Sequence, residues 1–295
     1  MSTPAAPGPP TLIAVTGATG RIGGAVAALL HERGAPLRLL LRDPSRTPRW
    51  ARDAPSVEVA VAQYDDGEAA RAALAGVDVL LMVSASESAD RLLQHRTFID
   101  AAAAAGVRHV VYTSFLGAAA DAIFTLARTH WATEEHLRAS GMGFTLLRDS
   151  FYLDFLPDLA VNGVIAGPAG TGRVGAVARE DVARSAAAVL ADLAAGESRH
   201  DGAVYELTGP EALTLAEAAA VITRATGRPT VYREQTLEEA YASRSAYGAP
   251  DWQVDAWVST YTAIASGALD RVTEDVERIT GRRPLGLAEL LADHS

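Results

Sequence analysis

Short apolar runs alternate with longer amphipathic stretches through the first half of the chain, and this alternation limits the fold more than any other feature. Continuous apolar runs are typical of strands buried on both faces of a parallel sheet, and the stretches between them suit the helices of right-handed crossovers. The predicted strands lie at residues 12–16, 37–41, 57–61, 77–84, 109–114 and 144–148. The predicted helices lie at about 20–34, 43–53, 66–75, 88–105 and 128–140. The chain is therefore predicted to be α/β, with a doubly wound parallel sheet.

Capping and turn residues agree with this reading. Asp43 can cap a helix that has Pro44 at its first position. Glycines that can end a helix follow four of the predicted helices, at Gly34, Gly76, Gly106 and Gly141. The local signals and the overall pattern therefore predict the same elements.

The rhythm changes after about residue 150. Residues 162–175 are too rich in glycine for a helix and are predicted to form turns and short strands. A helix at about 179–195 and a strand at 203–209 are expected to return to the main sheet. Thr214 and Glu217 have the spacing of a capping box, and residues 230–295 look mostly helical. We expect a smaller, mostly helical C-terminal region.

Charge and composition favour a small molecule as the partner. The chain has 26 basic and 36 acidic residues, a net charge of -10, and no long run of Lys or Arg, so no nucleic-acid surface is predicted. It has no cysteine, and its histidines show no metal-ligand spacing, so no metal is expected. No apolar run approaches the roughly 20 residues of a membrane span. Residues 1–10 resemble a disordered tail rather than a signal peptide, and a cytoplasmic location without membrane partners is expected.

Three glycines stand where the first strand turns into the first helix, in TGATGRIG at residues 16–23. In such a turn Gly17 permits the sharp bend, Gly20 lets the main chain approach a pyrophosphate, and Gly23 allows close packing of helix on sheet. The helix N-terminus then offers free N–H groups and a positive dipole end to a phosphate. A tight turn without a ligand is the alternative. The strand, the helix and the continuing alternation favour a dinucleotide.

Arg42 follows the second strand, where the adenosine ribose is expected. A guanidinium there can pair with the 2′-phosphate of NADP, whereas an acidic residue would accept from the ribose hydroxyls of NAD. Arg42 favours NADPH, although Asp43, which also suits a capping role, leaves NAD open. Arg21 can assist at the phosphates or simply lie at the surface.

Several segments together resemble the NmrA-like branch of the atypical short-chain dehydrogenase/reductase family, closest to its flavin-free NADPH:quinone oxidoreductases. These segments are VTGATGRIG, LLRDPSR, VDVLLMVSASE, QHRTFIDAAAAAGVRHVVYTS, GFTLLRDSFY and VERITGRRP. The resemblance covers nearly the whole chain. It implies a dinucleotide-binding Rossmann domain at 11–150 and a substrate-binding region at 151–295, of which about 174–210 returns to the main domain.

The resemblance also implies a set of cofactor residues. Arg42 is expected at the 2′-phosphate, and Gln63 and Tyr64 are expected to flank adenine. The pyrophosphate would be held by Gly17, Thr19, Gly20, Arg21 and Ile22, with Gly23 completing the glycine motif. The ribose and nicotinamide would be lined by Ser84, Ala85, Ser86, Thr113, Ser114 and Phe115. For the small polar residues, ordinary strand termination is the alternative.

The usual proton donor of short-chain dehydrogenases is missing. Their Tyr-x-x-x-Lys pair, in which the lysine lowers the tyrosine pKa, falls here on His130 and Glu134. Quinone reduction yields a stabilised hydroquinone anion and needs less proton assistance, so orientation against the nicotinamide can carry much of the rate. His130 is the candidate donor, with an ordinary structural histidine as the alternative. His95 is assigned to structure rather than catalysis.

Aromatic residues beyond the strand ends suit a flat substrate. Phe115, Phe151 and Tyr152 can form an apolar platform, with core packing as the equal alternative. Trp257 lies on a helical stripe with Val254, Tyr261 and Ile264 that is either a lid or an interdomain seam. In RDSFY, Asp149 occupies the position at which members of the family that this chain resembles often have asparagine or glycine. Asp149 and Asp154 can cap an element or line the site.

Two classes of function remain open from the sequence. The first is an NADPH-dependent oxidoreductase that passes a hydride directly to a quinone or related conjugated carbonyl, without flavin or metal. A related enzyme would reduce a ketone or imine in secondary metabolism. The second class is an NADP(H)-sensing regulatory protein without catalysis. Homo-oligomers are possible under either reading.

Overall fold

The computed structural model describes residues 11–292, and its centre is a seven-stranded parallel sheet. The predicted tail at residues 1–10 lies outside the described residues. The strands are β1 Ile13–Thr16, β2 Leu37–Leu41, β3 Val57–Val61, β4 Val79–Met82, β5 His109–Phe115, β6 Gly143–Asp149, β7 Val164–Gly167, β8 Arg173–Val174, β9 Val204–Leu207, β10 Leu213–Thr214 and β11 Val231–Glu234. The main sheet has the order β3-β2-β1-β4-β5-β6-β9. The strand order therefore reverses between β1 and β4, which is where open α/β sheets bind ligands.

Helices cover both faces of the sheet, as the doubly wound pattern predicts. The helices are α1 Arg21–Glu32, α2 Arg49–Arg52, α3 Gly67–Ala73, α4 Arg91–Ala104, α5 Thr125–Ala139, α6 Arg179–Ala194, α7 Leu215–Thr226, α8 Leu237–Ser245, α9 Asp251–Ala265, α10 Asp275–Thr280 and α11 Leu287–Ala292. On one face α1 packs against α6, and on the other α4 packs between α3 and α5. Each face has its own apolar core, so the sheet is buried on both sides.

The predicted strands of the first half are confirmed, with small changes at their ends. The run at 77–84 gives the shorter strand β4, and residues 83–84 leave the sheet as the start of a loop. The helix predicted at 43–53 is wrong as a single element, because a 3₁₀ turn at Pro44–Arg46 and the short α2 replace it. Pro48 explains the break, since it forces Thr47 into an extended conformation and has no N–H to donate.

The second half adds a smaller layer at the carboxyl end of the sheet. The glycine-rich segment at 162–175 forms β7 and β8, and the capping box of Thr214 and Glu217 starts α7, both as predicted. The mostly helical prediction for 230–295 missed β11, which pairs in parallel with β7. β11 has three of its four residues exposed, so it lacks the apolar run that marks a buried strand. The strand β9 pairs with β6, so this part of the second half returns to the main sheet as predicted. The domain boundary near residue 150 stays a prediction.

Candidate dinucleotide and substrate site

The glycine turn has the geometry that an anion site needs. Gly17 has φ +61, a left-handed conformation that glycine adopts without strain. A Cβ on Gly23 would lie 2.5 Å from the carbonyl oxygens of both Gly17 and Thr16, so only glycine allows α1 to pack this closely on the turn. Gly20 is the N-cap of α1 and offers no side-chain cap, which leaves the N–H groups of the first turn for a ligand.

A cavity of about 350 Å³ opens beside this turn, across the ends of β1, β2, β3 and β4. Of the predicted cofactor residues, Gly17, Arg42, Gln63, Tyr64, Ser84, Ala85 and Ser86 line it. Thr19, Gly20 and Arg21 are exposed on the adjoining turn. Ile22 is buried in the core under α1, so it can offer a ligand only its backbone. The cavity thus gathers residues that are far apart in the chain into one elongated site.

Arg42 is the positively charged residue in the lining of this cavity. It is exposed, and no acidic residue of the described chain pairs with it. The neighbouring Asp43 instead accepts from the backbone N–H of Ser45 at 2.9 Å, which caps the short turn after β2. Hydrogen bonding to the Ser45 side chain, followed by this backbone bond, lowers the pKa of the Asp43 carboxyl. The capping reading of Asp43 is therefore confirmed, and the Arg42 guanidinium is left available to an anionic ligand.

Tyr64 supports the cavity wall from inside. Its hydroxyl hydrogen-bonds to Thr16 Oγ1 at 2.7 Å and donates to the backbone carbonyl of Val83, and its ring packs edge-on against Phe98. Burial raises the pKa of the Tyr64 phenol, so it stays neutral. Tyr64 therefore ties the loop after β3 to β1 and to the loop after β4.

The side chains of Thr113 and Ser114 are turned into the protein. Thr113 Oγ1 accepts from the backbone N–H of Ser84 at 2.8 Å and so holds the loop after β4. Ser114 donates to Glu134, which stands where the usual lysine would be. Glu134 is fully buried and forms a bidentate ion pair with Arg148 on β6, at 2.8 and 2.6 Å. These residues position the strand ends, and neither Thr113 nor Ser114 lines the cavity.

His130 has both ring nitrogens engaged. Nε2 lies 3.0 Å from Nη2 of Arg91, and Nδ1 lies 3.0 Å from the hydroxyl of Tyr112. Burial, followed by the charge of Arg91, holds the pKa of His130 well below its usual range. The ring is therefore neutral, and its role as a proton donor stays a prediction.

His95 forms a second buried link in the same layer. Its Nε2 accepts from the backbone N–H of Ala85 at 2.9 Å, and its Nδ1 lies 2.9 Å from Thr133 Oγ1. Burial lowers the pKa of His95 to about 3. This geometry fits the structural role assigned to His95, because the residue fixes a loop that lines the cavity.

A larger cavity of about 620 Å³ lies against the C-terminal layer. Phe151 and Trp257 line it, together with Phe124, Phe155, Tyr247 and Tyr261. Glu87 also lines it, whereas the neighbouring Ser86 and Ser88 line the smaller cavity, so the loop after β4 borders both. An aromatic chamber thus adjoins the elongated site.

The remaining aromatic candidates lie behind this wall. Phe115 packs on Phe124 with ring centroids 4.8 Å apart, and Tyr152 donates its hydroxyl to Asp149. Neither is among the residues that line either cavity, so a substrate role for them stays a prediction.

The stripe on α9 is divided between two environments. Trp257, Tyr261 and Ile264 line the larger cavity, whereas Val254 packs into a small cluster with Ala240 and Val258. Arg244, which the sequence did not single out, stacks over the Tyr261 ring at 4.7 Å and donates to the carbonyl of Ala166 at 2.9 Å. The stripe therefore both lines the chamber and joins α8 to α9.

Sequence reasoning missed Arg91, the most buried arginine of the site. It is 5% exposed, and its Nε donates to the carbonyl of Ala85 at 2.9 Å. As the first residue of α4 it reads in the sequence as an ordinary solvated arginine. No local signal marks it, because its partners lie on other elements.

Metal and membrane candidates are not found among residues 11–292. No group of three or more His, Asp or Glu side chains in this range could hold a metal ion. Within the same range no helix is long and apolar enough to cross a membrane.

Comparison with known proteins matches this architecture. A family model described as NAD(P)H-binding matches residues 17–193. The structure of an NADPH-dependent quinone oxidoreductase from Escherichia coli in complex with NADPH has 34% identity and a TM-score of 0.84, covering 96% of this chain and 99% of that one. A Citrobacter triphenylmethane reductase complexed with NADP(H) has 30% identity and a TM-score of 0.82, covering 96% and 99%.

A curated relative gives the same result by sequence alone. An NAD(P)H azoreductase from Xenophilus azovorans is 31% identical over 288 residues, covering 96% of this chain and 98% of the relative. The matches run through both the sheet and the C-terminal layer. The chain therefore belongs to the NAD(P)H-binding, NmrA-like family of reductases that its sequence predicted.

Proposed function

We propose that the protein is an NADPH-dependent oxidoreductase that transfers a hydride directly to a quinone or a related conjugated, dye-like acceptor, without flavin. The observation that carries the proposal is the adjacency of two unlike cavities along the loop after β4. One spans the ends of β1 to β4 and has the unpaired guanidinium of Arg42 in its lining, and the other is lined by six aromatic side chains.

The elongated cavity fits a dinucleotide phosphorylated on its adenosine ribose. The uncapped start of α1 offers backbone N–H groups to a pyrophosphate, and the close approach at Gly23 keeps this helix end against the turn. Arg42 lies at the end of β2 with no acidic partner, as recognition of a 2′-phosphate requires. Bound NADPH supplies the hydride, and these residues hold and orient it.

The aromatic cavity suits a flat acceptor. Its volume of about 620 Å³ falls in the range of small-molecule sites, roughly 300–1,000 Å³. Trp257, Phe151 and Phe124 offer faces on which a conjugated ring can pack. A relative named for azo reduction matches this chain by sequence over 98% of its length, and one named for quinone reduction matches it by structure over 99%, which supports such acceptors. This chamber also favours catalysis over a purely sensing role.

Turnover by flavin-free protein tests the proposal. The loss of NADPH absorbance is followed with benzoquinones, naphthoquinones and azo dyes, after the purified protein has been shown to carry no flavin. We expect steady oxidation that depends on both protein and acceptor. NADPH binding without turnover across the whole panel would contradict the enzyme reading, and partner capture that follows the NADPH/NADP ratio would support the sensor.

A variant of the chamber separates acceptor binding from cofactor binding. Trp257→Ala removes an aromatic wall that lies on α9, away from the glycine turn. The KM for the acceptor should rise about tenfold or more, whereas the Kd for NADPH should stay near that of the wild type. Leu237→Ala, an exposed leucine on α8 that lines neither cavity, is the matched control.

A further inference from the structure

Three buried side-chain atoms at the end of β6 and the start of α4 have no hydrogen-bond partner within residues 11–292. They are Asp149 Oδ1, Ser150 Oγ and Arg91 Nη1. The three residues are 2%, 1% and 5% exposed. Buried polar groups in folded proteins are nearly always paired. Of the six unpaired buried side-chain atoms in the described residues, three therefore lie on Asp149, Ser150 and Arg91, and the Arg91 charge acts on the Asp149 carboxyl.

Asp149 occupies the centre of this region. It is the last residue of β6 and lies in register beside Phe115 of β5 and Leu207 of β9, neither of which can ionise. Two residues further on, Phe151 lines the aromatic cavity. On the other side of β5, the loop after β4 lines the elongated cavity. Asp149 lines neither cavity and is buried between the elements that border them, the segment at Phe151 and the loop after β4.

The charged and titratable groups around Asp149 and its partner Tyr152 come from the loop after β6 and from helices α4 and α6. Tyr152 donates its hydroxyl to Asp149 Oδ2, Arg91 reaches in from α4, and Arg179 at the start of α6 lies 4.9 Å from the Tyr152 ring. Burial raises the pKa of Asp149 to about 7, against the smaller lowering effects of the Tyr152 hydrogen bond, a hydrogen bond from its own backbone N–H and the Arg91 charge. Because Oδ2 accepts from Tyr152, the proton of the neutral acid belongs on Oδ1, the unpaired oxygen.

We propose that Asp149 holds, on Oδ1, the proton that acceptor reduction consumes, and so replaces the tyrosine that this chain lacks. The inference rests on the proposed function. Conversion of a quinone to a hydroquinone takes up one hydride and one proton. The hydride, with its two electrons, comes from the reduced dinucleotide, which is oxidised. The O–H bond of Asp149 breaks as an O–H bond forms on the reduced oxygen, and solvent then reprotonates the carboxylate.

An infrared titration of the ligand-free protein tests the buried acid directly. The wild type should show a protonated carboxylic acid band that disappears in a single step near pH 7. Asp149→Asn, which keeps an acceptor for the Tyr152 hydroxyl, should remove this band. Asp201→Asn makes the same chemical change at an exposed carboxylate near the start of β6 and should leave the band intact. A wild-type protein without a band in this pH range would overturn the proposal.

The rate of quinone reduction gives the second readout. In the wild type kcat should fall tenfold per pH unit above about pH 7, as for a single required proton. In Asp149→Asn it should be lower by about 10²-fold at pH 6 and nearly flat with pH. An unchanged rate and pH profile in this variant, with the wild type active, would contradict the inference alone. A wild type that binds NADPH but reduces no acceptor would contradict the proposed function instead.

An acceptor that needs no proton separates proton supply from folding. A cationic triarylmethane dye takes a hydride at its central carbon and becomes neutral without protonation. The loss of rate in Asp149→Asn should therefore be large with a quinone and less than about threefold with the dye. Equal losses with both acceptors would assign Asp149 to structure or cofactor binding and overturn the proposal.

Discussion

Arg91 and His130 are joined by a hydrogen bond of 3.0 Å between Nη2 of the arginine and Nε2 of the histidine. A guanidinium can only donate, so Nε2 of His130 must accept and its proton must lie on Nδ1. That proton is then donated to the hydroxyl of Tyr112, also at 3.0 Å. One arginine on α4 therefore fixes the tautomer of a histidine on α5, and a proton from His130 cannot reach an acceptor without breaking one of these bonds.

The tautomer of His130 can be read by NMR of protein labelled with ¹⁵N-histidine. We expect the wild-type ring to carry its proton on Nδ1 and to stay neutral well below pH 6.5, because burial and the Arg91 charge lower its pKa. Arg91→Met removes both the donor and the charge, so the pKa of His130 should rise and both tautomers should become populated. A wild-type ring protonated on Nε2 would contradict the assignment.

Arg42 should decide between the two nicotinamide cofactors. It is exposed in the elongated cavity with no acidic partner, so a 2′-phosphate would gain a charge-assisted hydrogen bond worth about 1.5–3 kcal/mol. Arg42→Ala should weaken NADPH binding about 10- to 100-fold and change NADH binding little. Calorimetry with both cofactors measures the difference.

A neighbouring arginine controls for a general loss of positive charge. Arg46→Ala changes an exposed arginine four residues later that does not line the cavity. It should weaken NADPH binding less than about twofold at physiological salt. Equal losses of NADPH and NADH affinity in Arg42→Ala would show that the residue does not read the phosphate.

Adding a methyl group to the glycine turn should reduce folding stability at Gly23 and dinucleotide binding at Gly20. At Gly23 the new Cβ would lie 2.5 Å from two backbone oxygens, which requires α1 to move. Overpacking of this kind costs about 1–3 kcal/mol of folding free energy. At Gly20 the nearest atom is Gly17 O at 3.1 Å, and φ of -91 is open to any residue.

Thermal unfolding and dinucleotide binding, measured on both variants, separate these roles. Gly23→Ala should lower Tm in the ligand-free protein. Gly20→Ala should keep a Tm near that of the wild type but bind NADPH at least tenfold more weakly, because its methyl group stands where the pyrophosphate approaches. A Gly20→Ala protein with normal NADPH affinity would remove Gly20 from the phosphate site.

Features set by local sequence were the ones that could be predicted. The glycine turn after β1, the six strands of the first half and the capping residues each follow from periodicity or from side-chain chemistry within a few positions, whereas the exposed strand β11 carries no such signal. Arg91 and the protonation state of Asp149 could not be read in this way. Their properties depend on burial and on partners from other elements, such as Tyr152 and His130, which only the folded chain brings together.

His95 should make the protein less stable in acid. Its pKa is about 3 in the folded chain and about 6.5 when unfolded, so between these values only the unfolded chain binds the proton. The free energy of unfolding should therefore fall by about 1.4 kcal/mol per pH unit as the pH drops from about 6.5 toward 3. Buried His130 acts in the same direction. Asp149 has the opposite effect. Its pKa is about 7 in the folded chain, so between about pH 4 and 7 only the folded chain binds the proton, and the free energy of unfolding falls as the pH rises through this range.

The contribution of His95 to this pH dependence of stability can be isolated by comparing variants across pH. His95→Gln can still accept from Ala85 and donate to Thr133 but cannot titrate, so its stability deficit against the wild type should shrink as the pH falls below about 6.5. Thr133→Val removes a partner of the same ring without removing the titratable group, and its deficit should stay nearly constant from pH 7 to 5. Urea unfolding at each pH measures both. A His95→Gln deficit that is constant over this range would show that His95 does not stay neutral in the folded protein, and it would remove the basis for the acid sensitivity.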